Sequence, residues 1–197
     1  MRRLVLIRHP ATRMSGTFCG HTDPDLSPRG EVQLGALRDR LEAISIDRIV
    51  SSDLRRARRC AGALARQHAL TAELRPALRE IHFGAWEGLR WSDIEARYRE
   101  DARRWMEGFP GHTPPGAESY TDFTARIHED TAQWLHDPSC ETLAAVTHRG
   151  VLQYLLQAHC ALESSAAWQI TSSPATVIFC DLREKGSFAV QEAWSPR

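Results

Sequence analysis

The chain has 197 residues, enough for one substantial hydrophobic core and short for two full domains. Lys plus Arg and Asp plus Glu number 25 each, a formal charge of zero that gives no support to nucleic acid or an anionic membrane as a bulk partner. The five cysteines (Cys19, Cys60, Cys140, Cys160 and Cys180) are odd in number and form no CxxC pair, which favours a reduced, cytoplasmic chain. No run approaches the roughly 20 apolar residues of a membrane helix. The apolar stretch Leu4–Ile7 behind Arg2 and Arg3 is well under the ~7–15 residues of a signal-peptide core, so a soluble, untargeted protein is expected.

In chain order, strands are predicted at Leu4–Ile7, Asp47–Ser51, Leu143–Thr147 and Thr176–Asp181, with Phe188–Ala193 as an edge. Between them the apolar spacing turns helical. Ser27-Pro28 reads as an N-cap with a first-turn proline, followed by an inward face of Leu34, Leu37 and Leu41. A second helix is predicted over about 56–68 with Ala57, Cys60, Ala61 and Leu64 inward. A third starts at Ser119, paired with Asp122 in a capping-box-like spacing, and carries the stripe Tyr120, Phe123, Ile127 and Trp134. A fourth follows Gly150 with Val151, Leu152, Leu155 and Leu156. This alternation predicts an α/β fold, a three-layer α/β/α sandwich around a central, mostly parallel sheet. The segment 75–116, rich in Trp, Gly and Pro, reads as a helical, cap-like insertion near the active site of one domain spanning 1–197.

Four stretches carry chemistry. The first strand ends in Arg8-His9-Pro10, a cation beside an imidazole where α/β proteins bind ligands. Ser51-Ser52-Asp53-Leu54-Arg55-Arg56-Ala57 lies where a strand gives way to a helix, whose free N–H groups and dipole favour anions. Of Arg55, Arg56, Arg58 and Arg59, only one needs to face a site for its planar fork to grip two oxygens. Glu80 sits in Arg79-Glu80-Ile81-His82-Phe83-Gly84-Ala85-Trp86-Glu87-Gly88, and a carboxyl against an apolar wall is a candidate general acid. Glu87 competes with it on spacing. Finally, Val146-Thr147-His148-Arg149-Gly150 is a second apolar strand ending in a histidine before a helix.

Together, and in this order, these four stretches resemble the histidine phosphatase superfamily, in the branch that includes cofactor-dependent phosphoglycerate mutases. Leu6-Ile7-Arg8-His9 resembles its signature, Ser51 to Ala57 its arginine motif, Glu80 to Gly88 its acid motif, and Thr147-His148 its second histidine. The run from Gly16 to Ser27 is similar to α-ribazole phosphatase-like members, with Phe18 and Cys19 in the reverse of their usual order. The resemblance implies that His9 is the nucleophile and that Glu80 first protonates the leaving alkoxide, then activates water. It also implies that Arg8, Arg56 and His148 surround the equatorial oxygens of the transferring phosphoryl group. No metal and no cofactor is implied, because fixed cations neutralise the charge, and the sequence shows no convincing metal-ligand spacing.

Departures from the family pattern are informative. Pro10 stands where a glycine is commoner and has no N–H to offer. Ser15 and Cys19 fall at phosphate-lining positions. Arg149 replaces a glycine. It is expected to be solvent-exposed, the alternative being an extra cation at the rim for substrates with a second negative group. The expected substrate is a small phosphomonoester, with α-ribazole 5′-phosphate one candidate. Trp86, Trp91 and Trp105 would suit an aromatic leaving group, although core packing is an equal use for Trp91. A phosphoglycerate mutase is the first alternative, disfavoured by the short region between Glu80 and His148 and by the lack of basic residues in its acid-motif loop. A phospholigand-binding module is the second, and such a module would not need the acid. Oligomeric state is not legible.

Overall fold

The computed structural model describes residues 2–135, 137, 139–183 and 187–196. One six-stranded sheet runs through it. In chain order its strands are β1 (Arg3–Arg8), β2 (Arg48–Ser51), β3 (Ala72–Leu74), β4 (Thr142–Thr147), β5 (Val177–Leu182) and β6 (Phe188–Trp194). Their spatial order is β3-β2-β4-β1-β5-β6, and only β5 runs against the others. The helices are α1 (Pro28–Leu41), α2 (Arg55–Gln67), α3 (Trp91–Arg97), α4 (Arg99–Gly108), α5 (Tyr120–Trp134), α6 (Arg149–Cys160) and α7 (Ser164–Ile170).

The strands are apolar on both sides because both faces are covered. Alternate residues of β1 divide between two cores, Leu4 and Leu6 joining α5, α6 and α7, and Val5 and Ile7 joining α1 and α2. β4 divides in the same way, with Leu143 and Ala145 on one side and Ala144 and Val146 on the other. This is the three-layer α/β/α arrangement. The capping chemistry read from the sequence is present: Ser27 accepts from the Gly30 amide at 3.1 Å, and Ser119 accepts from the Asp122 amide at 3.0 Å.

Register fixes the site. Arg8 of β1 pairs with Thr147 of β4, and Ser51 of β2 pairs with Val146. The residues that follow these strand ends, His9, His148 and Ser52, therefore emerge side by side at the carboxyl edge of the sheet. Between β3 and α5 the chain makes two short 3-10 turns, Pro76–Leu78 and Gly84–Trp86, and then α3 and α4. This segment has an apolar cluster of its own around Trp86, Ile94 and Ala102, joined by Phe18 from the first loop. Strand β3 and helix α7 were not anticipated. β3 is three residues on an edge with no buried side chain, and α7 is seven residues long, so neither leaves a periodic signal. Among the described residues no helix is long and apolar enough to cross a membrane.

Candidate active site

His9 and His148 meet with ring centroids 5.1 Å apart at an interplanar angle of 60°. His9 Nδ1 lies 2.7 Å from the Pro10 carbonyl, which can only accept, so the proton sits on Nδ1 and Nε2 keeps its lone pair. Pro10 thus contributes its carbonyl, the one backbone group a proline retains. His148 is fully buried and held at both nitrogens. Arg56 Nε donates to Nδ1 at 3.3 Å, which places the imidazole proton on Nε2, 2.8 Å from the Ser52 hydroxyl. Burial, followed by the nearby charges of Arg56 and Arg8, pushes His9 well below the ordinary imidazole range, with the bond to Pro10 opposing it. Burial, then Arg56, His9 and Arg8, push His148 the same way. Both rings are therefore neutral near pH 7, and the His9 ring is a free nucleophile.

Arg56 is the one arginine of the α2 cluster that turns inward, 1 % exposed, while Arg55, Arg58 and Arg59 are exposed. The helix that carries it starts on Asp23, whose carboxylate accepts from the Arg55 amide at 2.7 Å. Besides His148, the Arg56 guanidinium donates to the carbonyls of Thr22 (2.8 Å), Cys19 (3.2 Å) and Gly20 (2.7 Å). Of its five N–H groups one, on Nη1, is left over. Arg56 therefore ties the first loop to the second histidine. Glu87 holds the other side of that loop, accepting from the amides of Gly20, His21 and Thr22 and from the Thr22 hydroxyl, and from Phe83 as well. Burial alone would raise the Glu87 pKa, but the hydrogen bonds from Thr22, Phe83 and His21 outweigh it and leave the carboxylate lowered. A Cβ at Gly20 would come within 2.1 Å of the Ile81 carbonyl and 2.3 Å of Glu87, so only glycine fits there.

Glu80 and Glu87 are separated in role by these contacts. Glu80, 8 % exposed, accepts from the Ile81 amide at 3.1 Å and from the Gly150 amide at 3.0 Å, in the first turn of α6. It lies within electrostatic reach of Arg8 and Arg149. Its backbone is pinned by Arg126, which donates to the carbonyls of Ala77, Arg79 and Glu80 and pairs with Glu118 at 2.6 Å. Arg8 donates to the carbonyls of Thr171 (2.9 Å) and Ser172 (2.6 Å), just past α7. Burial and the neighbouring Arg149 bring Arg8 down to about 10, against the pull of Glu80.

The structure thus brings His9, His148, Arg56, Arg8 and Glu80 to one place. Ser15 is exposed, and its hydroxyl donates to the Thr12 carbonyl at 2.9 Å within a turn. The Cys19 thiol donates to the Thr22 carbonyl at 3.4 Å, and burial raises its pKa, so Cys19 meets the site through its backbone carbonyl on Arg56. Arg149 differs from the exposed reading: it is half-buried, stacked 3.5 Å over the Trp168 ring, because α7 packs beside α6. Trp86 is fully buried, edge-on to Phe18, Trp91 and Trp105, so its ring belongs to the core of the 75–116 segment. Ser52, Arg126, Glu118 and the Thr171–Ser172 carbonyls were not singled out from the sequence. Ser52 stood inside the arginine motif and was the one with a visible signal. His21 and His82, far apart in the chain, also meet, with ring centroids 5.0 Å apart.

The chain is 27% identical over 168 residues to the adenosylcobalamin/alpha-ribazole phosphatase of Salmonella typhimurium, covering 84% of this chain and 83% of that one. It is 33% identical over 174 residues to the glucosyl-3-phosphoglycerate phosphatase of Mycolicibacterium vanbaalenii, covering 80% and 74%. The crystal structure of the alpha-ribazole phosphatase from Shigella flexneri superposes with a TM-score of 0.86 at 25% identity, over 96% of this chain and 94% of that one. Residues 4–194 match the model of the histidine phosphatase superfamily (branch 1), and the chain belongs to that family as a phosphatase.

Proposed function

We propose that the protein hydrolyses small phosphomonoesters through a phosphohistidine on His9. The observation that carries this reading is the pairing of His9 Nδ1 with the Pro10 carbonyl. It leaves a neutral, oriented Nε2 among buried guanidinium groups. Nε2 attacks the phosphorus in line with the ester oxygen. The P–O bond breaks, and Glu80 gives its proton to the departing alkoxide. Water then attacks the phosphohistidine, losing its proton to Glu80, and inorganic phosphate leaves. Arg8 and the spare N–H of Arg56 meet the charge on the equatorial oxygens, while His148, with Nδ1 on Arg56 and its Nε2–H on Ser52, holds Arg56 in place. They do so without reorganising, since both arginines are already anchored to backbone carbonyls.

Arg56 serves twice in this reading, as a phosphate donor and as the clamp that sets His148. The segment 75–116 forms a roof over the leaving-group side, since it begins at Glu80's own loop. The alcohol is a small metabolite, and α-ribazole is a candidate on the strength of the relatives named above. Reaction with a 32P-labelled ester, quenched in alkaline detergent, tests the mechanism. A base-stable, acid-labile phosphoenzyme in the wild type, absent in His9→Ala, is expected. Turnover without any such species would remove His9 from the role.

A further inference from the structure

Two arginines share one unusual circumstance. Among the described residues, the Nε atoms of Arg8 and Arg149 are the guanidinium atoms buried without a hydrogen-bond acceptor. A buried donor left unpaired is costly, and two cations held in mutual reach repel each other. The fold nevertheless fixes both from the same element. Trp168, on α7, lies flat under the Arg149 guanidinium at 3.5 Å. The carbonyls of Thr171 and Ser172, at the end of α7, hold Arg8. Burial lowers the pKa of Arg149 as well, with Glu80 opposing. A stack on tryptophan covers the flat face of a guanidinium and leaves its edge donors to meet a ligand.

The phosphoryl group already has Arg8 and Arg56. Arg149 sits one residue beyond His148 and within reach of Glu80, which faces the leaving alcohol in the mechanism above. We infer that Arg149, braced by Trp168, is a specificity residue that receives a carboxylate on the alcohol portion of the substrate. A single half-buried guanidinium with Glu80 beside it suits one further negative charge, not a dianion. The inference rests on the phosphatase reading for its orientation, the alcohol lying on the Glu80 side.

The test is a matched pair of esters that differ in the carboxylate, 3-phosphoglycerate and glycerol 3-phosphate. Wild-type kcat/KM is expected to favour the first by about 10-fold or more, as a charge-assisted fork allows. Arg149→Ala should bring the ratio of the two close to one, and Arg149→Lys should restore part of it. Trp168→Leu should lower the ratio through KM with kcat little changed, because Trp168 positions Arg149 and touches no substrate. Equal losses on both esters would assign Arg149 to the phosphoryl group or to folding, and overturn the inference. So would a wild type without preference. If the wild type hydrolyses neither ester and forms no phosphoenzyme, the phosphatase reading fails, and calorimetric binding of the same two compounds decides the subsite. Tighter binding of 3-phosphoglycerate that is lost in Arg149→Ala keeps it, and equal affinity removes it.

Discussion

The strand-end floor and the 75–116 segment are built on opposite principles. In the floor nearly every polar side chain is fixed by something that cannot move far. His9 is held by the Pro10 carbonyl, His148 by Arg56 and Ser52, Arg8 by two carbonyls past α7, and Arg56 by three carbonyls of the first loop. The 75–116 segment coheres through aromatic edges, Trp86 against Trp105 at 5.5 Å and against Phe18 at 5.6 Å. Its surface carries exposed ion pairs such as Arg103 with Glu100 and Glu107, worth little in water. Met106 and Phe109 are left exposed. The phosphoryl transfer proposed for the floor needs cations that do not relax, whereas the 75–116 segment needs only to hold its own shape. The difference shows where a substitution should damage chemistry and where it should damage only stability.

The sharpest way to break this contrast is to remove the imidazole proposed as nucleophile. His9→Ala should lower kcat by roughly 10⁴-fold or more with the fold intact by circular dichroism. Arg56→Lys keeps the charge but loses the fork and three carbonyl bonds, so a fall in kcat/KM of about 10²-fold is expected. A loss of thermal stability should accompany it. Normal turnover in that variant would show that the floor is not rigid in the way described.

Gly150→Ala tests the coupling between α6 and the acid. A Cβ there would lie 2.4 Å from Glu80 Oε1, a movable side-chain end, so Glu80 shifts while the helix survives. We expect kcat to drop by about 10-fold with little change in melting temperature, since the cost falls on acid placement. Loss of folding instead would mean that the glycine serves packing.

The pH dependence follows from the two histidines. Their folded-state pKa values are depressed, so below about 6.5 the unfolded chain takes up protons that the folded protein refuses. Stability is full above that pH and declines as pH falls through it, by up to about 1.4 kcal/mol per pH unit for each histidine. Urea midpoints between pH 7 and 5 should show this, with a shallower decline in His148→Gln. The smallest effect on turnover is expected from the 75–116 segment. Trp86→Ala should cost about 3–5 kcal/mol of stability, while kcat of the folded fraction on p-nitrophenyl phosphate changes by less than about 3-fold. A loss as large as that of Gly150→Ala would show that the aromatic cluster also sets Glu80.

How far the sequence reached depended on the length of each signal. β1, β4 and β5 are apolar runs buried on both faces, and α1 and α5 announce themselves by Ser27-Pro28 and Ser119 caps, so their positions were legible. So were Arg8, His9 and His148, because a histidine or arginine at a strand end is a local pattern. The roles of Glu80 and Glu87 were not separable by spacing. The two differ only in what donates to them, the Gly150 amide in one case and the 20–22 loop in the other.

The sequence by itself determined the layers and the order of the motifs, since apolar periodicity and capping act over a few residues. Tertiary structure alone decided which arginine of α2 turned inward, which carbonyls hold Arg8, and that Arg149 lies on Trp168 instead of in water. The physical reason is separation along the chain. These outcomes depend on pairing register between β1, β2 and β4 and on a seven-residue helix with no periodic signature of its own.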